Sequence, residues 1–197
     1  MILLSDVIMV LNYWKERHLD KIIYFDNEDQ KIDRCAGQAY FNFIDYAFDR
    51  TDYFMLVYVN YYGKGYSKIM KSFRNELRNY EVKSRTDPHW PGVQGTYCPQ
   101  TTYKIVFYRN DTGAKRVLKK VNKLSDWSSP GYPQDLAFFK GNQCWFYSVG
   151  HERIAAIIHA DDQDIAFVEM NKLASREAAR TRQESYFDLY NEELDES

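Results

Sequence analysis

The residues best placed to do chemistry form one short run, Gly63-Lys64-Gly65-Tyr66-Ser67-Lys68. A glycine-bearing turn that leads into a basic helix can aim backbone N–H groups at an anion. Lys64, Lys68, Lys71 and Arg74 would add charge-assisted contacts, and Tyr61, Tyr62 or Tyr66 would stack on a base. The run is not a P-loop, because the Gly-x4-Gly-Lys-Ser/Thr spacing is absent. It suits a phosphate-bearing ligand, a nucleotide or a single-stranded nucleic acid. A plain turn ahead of a solvated helix face accounts for the same residues, and short glycine motifs arise easily by chance.

The other reactive residues are scattered. His89 stands beside Trp90, His151 precedes Glu152, and His159 precedes Asp161 and Asp162. A hydrolase assembled from His89, His151 and the turn at 159–164 would need these groups to converge, as would a metal site. An Asp-rich turn explains the last cluster by itself, so neither a metal nor a cofactor is expected. Glu81-Val82-Lys83 has the Glu-x-Lys spacing of a nuclease half-site, but the pattern puts it at a helix end, with no Asp suitably placed upstream. Cys144 with His151 would make a thiol nucleophile, yet Cys144 lies in a Trp-Phe-Tyr strand, where thiols are commonly buried and inert.

These residues must be positioned by elements that the hydrophobic pattern outlines. Ser5 caps a first helix, with Val7, Ile8, Val10, Leu11 and Trp14 on one stripe. A short strand at 21–25 and an acidic loop at 26–33 follow. A second helical stripe runs through Tyr40, Phe41, Phe43, Ile44, Ala47 and Phe48. Residues 53–59 are apolar throughout and read as a strand buried on both faces. Ile69, Met70, Phe73, Leu77 and Tyr80 mark a helix whose opposite face is Lys68, Lys71, Arg74 and Arg78. Residues 86–100 form a Pro- and Gly-rich loop of the length that often serves as a lid or binding loop. A strand at 103–108 comes next, then a segment at 114–124 that fits a helix better than a returning strand. Residues 127–133 are a second rigid loop. Residues 135–139 and 144–149 flank Gly141-Asn142 as a hairpin, and residues 154–160 and 165–170 read as another. The expected fold is α/β or α+β, a mixed and mostly antiparallel sheet of about five to seven strands flanked by helices. One compact domain spans 1–170, with 1–36 a packed N-terminal element, and 171–197 form an exposed terminal helix and acidic tail.

Charge along the 197 residues is uneven. Residues 1–60 hold 6 Lys/Arg and 10 Asp/Glu, residues 61–123 hold 14 and 4, and residues 124–197 hold 6 and 14. The overall charge of −2 therefore conceals a basic middle between acidic ends. Either that middle meets an acidic ligand, or the ends fold back and neutralise it. The 17 Tyr, 12 Phe and 4 Trp exceed what a core of this size needs, which puts many Tyr at the surface. Three widely spaced cysteines, Cys35, Cys98 and Cys144, exclude a disulfide scaffold and indicate reduced thiols. The opening Met1-Ile2-Leu3-Leu4 lacks a basic n-region and is interrupted by Asp6, which does not suit a signal peptide, and no apolar run reaches the roughly 20 residues of a membrane span. The expected compartment is the cytoplasm.

Pro133-Gln134-Asp135-Leu136-Ala137-Phe138-Phe139, with Gly141, Trp145, Ser148 and His151-Glu152, resembles a hairpin pattern of short uncharacterised bacterial and phage proteins. The resemblance covers about 20 residues and implies a bacterial or phage origin, with no activity to carry over. An aromatic-rich, mildly acidic chain of this size is also similar in type to immunity proteins and inhibitors. The leading expectation is a non-enzymatic protein that binds a macromolecule, most readily another protein, by occlusion through a Tyr-rich, charge-polarised face. A phosphate-ligand binder at residues 63–74 is the first alternative, and the assembled hydrolase is the second.

Overall fold

The computed structural model describes residues 21–25, 32–93, 95, 98–173, 179–181 and 194. Its frame is one antiparallel sheet. In chain order the strands are β1 (Lys21–Tyr24), β2 (Tyr53–Asn60), β3 (Glu81–Thr86), β4 (Thr102–Arg109), β5 (Gln134–Lys140), β6 (Gln143–Val149), β7 (Ile154–Ile157) and the short β8 (Ala179–Thr181). Across the sheet they run β3-β4-β2-β5-β6-β7-β1-β8. The seven longer strands match the expected sheet, and β8 extends it at the β1 edge. Four α-helices accompany them among the described residues: α1 (Gln38–Arg50), α2 (Lys68–Leu77), α3 (Thr112–Leu118) and α4 (Asp162–Met170).

β2 is central because it is apolar on both faces. It pairs with β4 along its whole length, from Tyr53 opposite Arg109 to Asn60 opposite Thr102, and with β5 on its other side. Alternation then sends Phe54, Leu56 and Tyr58 to one face and Met55, Val57 and Val59 to the other. The first face receives the helices. Phe43 of α1 lies 4.7 Å from Phe146 and 6.0 Å from Phe138, Phe73 of α2 meets Trp127 edge-on at 5.6 Å, and Val117 and Leu118 of α3 join the same core. The buried polar tips are satisfied in series: Trp127 Nε1 donates to Tyr40 Oη at 3.1 Å, which donates to the Leu118 carbonyl at 3.0 Å. On the second face Trp90 and Leu194 pack against Met55, Phe107 and Phe139.

Several local expectations change. Residues 81–86 form edge strand β3, so Glu81-Val82-Lys83 sits in a strand and not at a helix end. Residues 162–170 form α4 instead of a second hairpin partner, because Asp161 caps the segment. Its side chain accepts from Gln163 and Asp164 N–H, and Asp164 returns a bond to Asp161 N–H, a full capping box. The segment expected to be helical rather than a returning strand is a helix, over residues 112–118, with Asp111 accepting from Gly113 N–H. Ala179–Thr181 pair with β1 as a strand within the stretch expected to be a terminal helix. The amphipathic stripe at 7–14, most of the 26–33 loop and most of the acidic tail lie outside the described residues. No helix among the described residues is long and apolar enough to cross a membrane.

The aromatic excess goes inward. Trp90, Trp127, Tyr40, Tyr58 and Tyr108 are fully buried, and among the described tyrosines only Tyr61 and Tyr62 are exposed. Among the described residues the expected Tyr-rich face reduces to that pair.

Candidate functional site

The pair stands where β2 ends. Tyr61–Gly63 form a single 3-10 turn, in which Tyr62 has φ +52° and Gly63 φ +69°, and Gly65 follows at φ +82°. Glycine at two of these left-handed positions removes the Cβ penalty that the turn would otherwise carry. The chain then enters α2, where Ser67 Oγ accepts from Met70 N–H at 3.1 Å. The amides of this turn are already committed. Gly65 N–H donates to Asn60 Oδ1 at 2.7 Å and Lys64 N–H to the Tyr61 carbonyl at 3.0 Å. The backbone cradle expected at Gly63, Lys64 and Gly65 is thus turned back on the chain, and an anion here would be met by side chains.

Those side chains form a row. Lys64, Lys68, Lys71 and Arg78 are exposed and have no acidic partner among the described residues. Lys68 and Lys71 lie three apart on one helix face, and Lys64 extends it over the Tyr62 ring at 6.0 Å. Among the described residues four large hydrophobic side chains are exposed: Tyr61, Tyr62, Ile69 and Met170. Tyr61 and Tyr62 adjoin the Lys64 end of this row, and Ile69, next to Lys68 in sequence, projects about 100° round the helix from it. Exposed apolar area and uncompensated charge meet at Tyr62 and Lys64, and Tyr66 lies edge-on to Tyr58 at 6.0 Å.

Arg74 leaves the row. It turns toward Glu81, 3.0 Å away, with its guanidinium 5.4 Å above the Tyr58 ring. Tyr58 and Tyr108 hydroxyls bond each other at 2.8 Å below. Glu81 is therefore held in an ion pair, which removes it from any Glu-x-Lys chemistry.

A cavity of about 580 Å³ opens beside the patch, lined by Thr86, Asp87, His89, Cys98, Thr101 and Tyr103 among others. Asp87 Oδ1 accepts from the His89 backbone N–H at 2.8 Å and lies 2.9 Å from Nδ1 of its ring. Partial burial pushes the Asp87 carboxyl up, but the bonds from His89 and the charge of Arg85 outweigh it and hold it below the usual carboxylate value. Cys98 accepts from Thr101 Oγ1 at 3.3 Å. A hydrogen bond with the same thiol is the chief cause that raises the Tyr62 hydroxyl above its ordinary value, so cavity and patch touch at Tyr62. Cys35 and Cys144 are buried, and burial pushes both thiols far up.

The wall carrying His89 is anchored by Trp90, whose Nε1 donates to Asp135 Oδ2 at 2.8 Å. Asp135 is fully buried at φ +59° and also accepts from Gly150 N–H at 3.0 Å and Gln134 Nε2 at 3.2 Å. Burial pushes its carboxyl up to about 6, against the pull of these donors.

The remaining expected groups do not join. His151 stands 3.7 Å from Glu152, His159 bonds Gln143, and neither lines the cavity. Asp161 and Asp164 hold the start of α4 and pair with Arg50. No three His, Cys, Asp or Glu among the described residues come together as metal ligands. Sequence reasoning named His89 but missed its neighbours; the signal was the Asp87-x-His89 spacing inside the Pro-rich loop, with Cys98 in the same loop. The chain matches no protein-family model, no curated protein and no solved structure.

Proposed function

We propose that this protein is a non-enzymatic binder that occludes an acidic surface of a protein partner through Tyr61, Tyr62, Lys64, Lys68, Ile69 and Lys71. The observation that carries this reading is the coincidence of exposed apolar side chains with cations that lack acidic partners. Tyrosine supplies rigid contact area and the lysines steer a negatively charged partner. Ile69, an exposed aliphatic side chain on the same helix, suits an apolar contact on a protein. With the turn's amides engaged internally, a compact phosphate pocket is the poorer fit. A second reading, single-stranded nucleic acid, is favoured by one feature: the Tyr62 ring is 56% exposed and close to Lys64.

The test is a quantitative low-salt capture from the native host's lysate by three proteins: wild type, Lys64→Glu/Lys68→Glu/Lys71→Glu, and Lys115→Glu/Lys119→Glu as a charge-reversal control away from the patch. A stoichiometric protein held by wild type and control, lost from the patch variant and indifferent to nuclease, is expected. Material released by nuclease would transfer the assignment to nucleic acid. Equal retention by the patch variant would remove the patch from the function.

A further inference from the structure

Asp135 stands near the start of β5, fully buried and at φ +59°. Its three donors come from three places: Trp90 Nε1 at 2.8 Å, Gly150 N–H at 3.0 Å and Gln134 Nε2 at 3.2 Å. Gln134 adjoins it on β5 and Gly150 follows β6, but Trp90 arrives from residues 87–93, which lie across the second face of the sheet. Asp87 N–H donates to the Tyr103 carbonyl at 3.2 Å, and Trp90 and Val93 exchange backbone bonds at 3.3 and 2.8 Å. The Trp90 ring lies 5.2 Å from Tyr103, and Gly92 runs so close to β6 that a Cβ there would meet the Tyr147 ring at 2.5 Å.

We propose that residues 87–93 are a pH-sensitive strap, latched by Asp135 and held more tightly when that carboxyl is protonated than when it is ionised. A carboxylate buried among neutral donors gives up its hydration, whereas the neutral acid costs far less to bury. Protonation at Oδ1, which accepts one bond, leaves Oδ2 able to keep both Trp90 and Gln134. Lifting Trp90 admits water to the carboxyl and returns it toward its ordinary value. The closed strap therefore binds the proton more tightly than the open one, and acid favours closure. His151, on the turn after β6, is the charged side chain that bears on Asp135, and its protonated form favours ionisation. Asp87 and His89 of the strap engage each other, and Trp127, from the segment before β5, meets the Asp135 N–H through its backbone carbonyl. Because Asp87, Pro88 and His89 line the cavity beside Tyr62, release of the strap opens that cavity. None of this rests on the partner-binding patch.

The test follows two NMR signals from pH 4 to pH 8, the Trp90 indole N–H and the Gly150 amide, together with hydrogen exchange of the strap. Both signals are expected to titrate with one midpoint near 6 and to stay flat in Asp135→Asn. Trp90→Phe keeps an aromatic ring but removes a donor, so the Gly150 midpoint should move to higher pH. Protection of the Trp90 and Val93 amides, corrected for intrinsic exchange, should fall about tenfold from pH 5 to pH 7.5 in wild type. The amides of β2 should stay better protected throughout, and Asp135→Asn should show no such fall. Signals that are flat in wild type would overturn the proposal, as would an unchanged Gly150 midpoint in Trp90→Phe or the same fall in Asp135→Asn. Strap and β2 amides sharing one protection factor at every pH would also overturn it, since the effect would then belong to global unfolding.

Discussion

Two lysine-bearing helices, α2 and α3, pack against each other on the same face of the sheet, and their charges meet opposite fates. On α3 and the turn after it, Lys115 lies 3.4 Å from Asp45, Lys119 lies 2.6 Å from the same carboxylate, Lys120 pairs with Glu76, and Lys123 lies 3.6 Å from Asp126. Asp45 belongs to α1, in the acidic first third of the chain. On α2, Lys68 and Lys71 are exposed and have no acidic partner among the described residues. The basic middle of the chain is therefore part neutralised and part presented. A run of positive charge becomes a binding surface only where the fold withholds its counter-charges.

The strongest way to sharpen that contrast is to reverse the presented row. Lys64→Glu/Lys68→Glu/Lys71→Glu should weaken partner binding by about 100- to 1,000-fold while leaving the melting temperature nearly unchanged. Titration calorimetry beside a thermal melt reads both. Equal losses of binding and stability would show that the row is structural after all.

Asp135 tests what happens to a charge held by N–H donors alone, without any lysine. Its folded carboxyl titrates at about 6 against 3.8 unfolded, so the native state binds the extra proton in between. Stability should rise as pH falls from about 6 to about 4, by roughly 3 kcal/mol relative to Asp135→Asn. Denaturant unfolding of both proteins across this window checks the sign, and parallel curves would refute it.

Reversal on α3 should do the opposite of reversal on α2. Lys115→Glu/Lys119→Glu places like charges against Asp45 and should cost about 1–2 kcal/mol, lowering the melting temperature by roughly 3–6 °C with partner affinity intact. A smaller change, Ser67→Ala, removes the cap that starts α2 and should cost about 1 kcal/mol, with a modest loss of binding as the row frays.

The weakest effect comes from acid. Partial burial raises Asp45, but Lys119 and Lys115 outweigh it and leave the carboxyl below 3.8. The stability it adds is present above the unfolded value and disappears as pH falls through the folded one. Because Asp45 is half-exposed, the loss should stay under about 1 kcal/mol, and it should vanish in Asp45→Asn. Wild type and Asp45→Asn melting at the same temperature down to pH 2 would mean that these pairs contribute nothing.

Legibility from sequence followed the range of the forces. The 53–59 strand, the Gly141-Asn142 hairpin and the α1 and α2 stripes were readable because alternation, turn chemistry and helical spacing act over a few residues. β3 escaped because Glu81–Thr86 is polar at most positions and is held by pairing with β4. α4 escaped because its apolar residues resemble a strand until Asp161 is recognised as a cap. At the candidate site, Lys64, Lys68 and Lys71 were legible as an exposed basic face, whereas the inward turn of Arg74 onto Glu81 and Tyr58 was not.

By itself the sequence determined the class of fold, the basic middle, the glycine-bearing turn at 63–65 and the order of most elements, since each rests on local preference. Which lysines would be neutralised, and that among the described tyrosines only Tyr61 and Tyr62 would be left exposed, were decided only by tertiary structure. Those outcomes depend on the sheet order, which brings Asp45 to Lys119 and Asp135 to Trp90 across many residues of chain. No window of neighbouring residues contains that information.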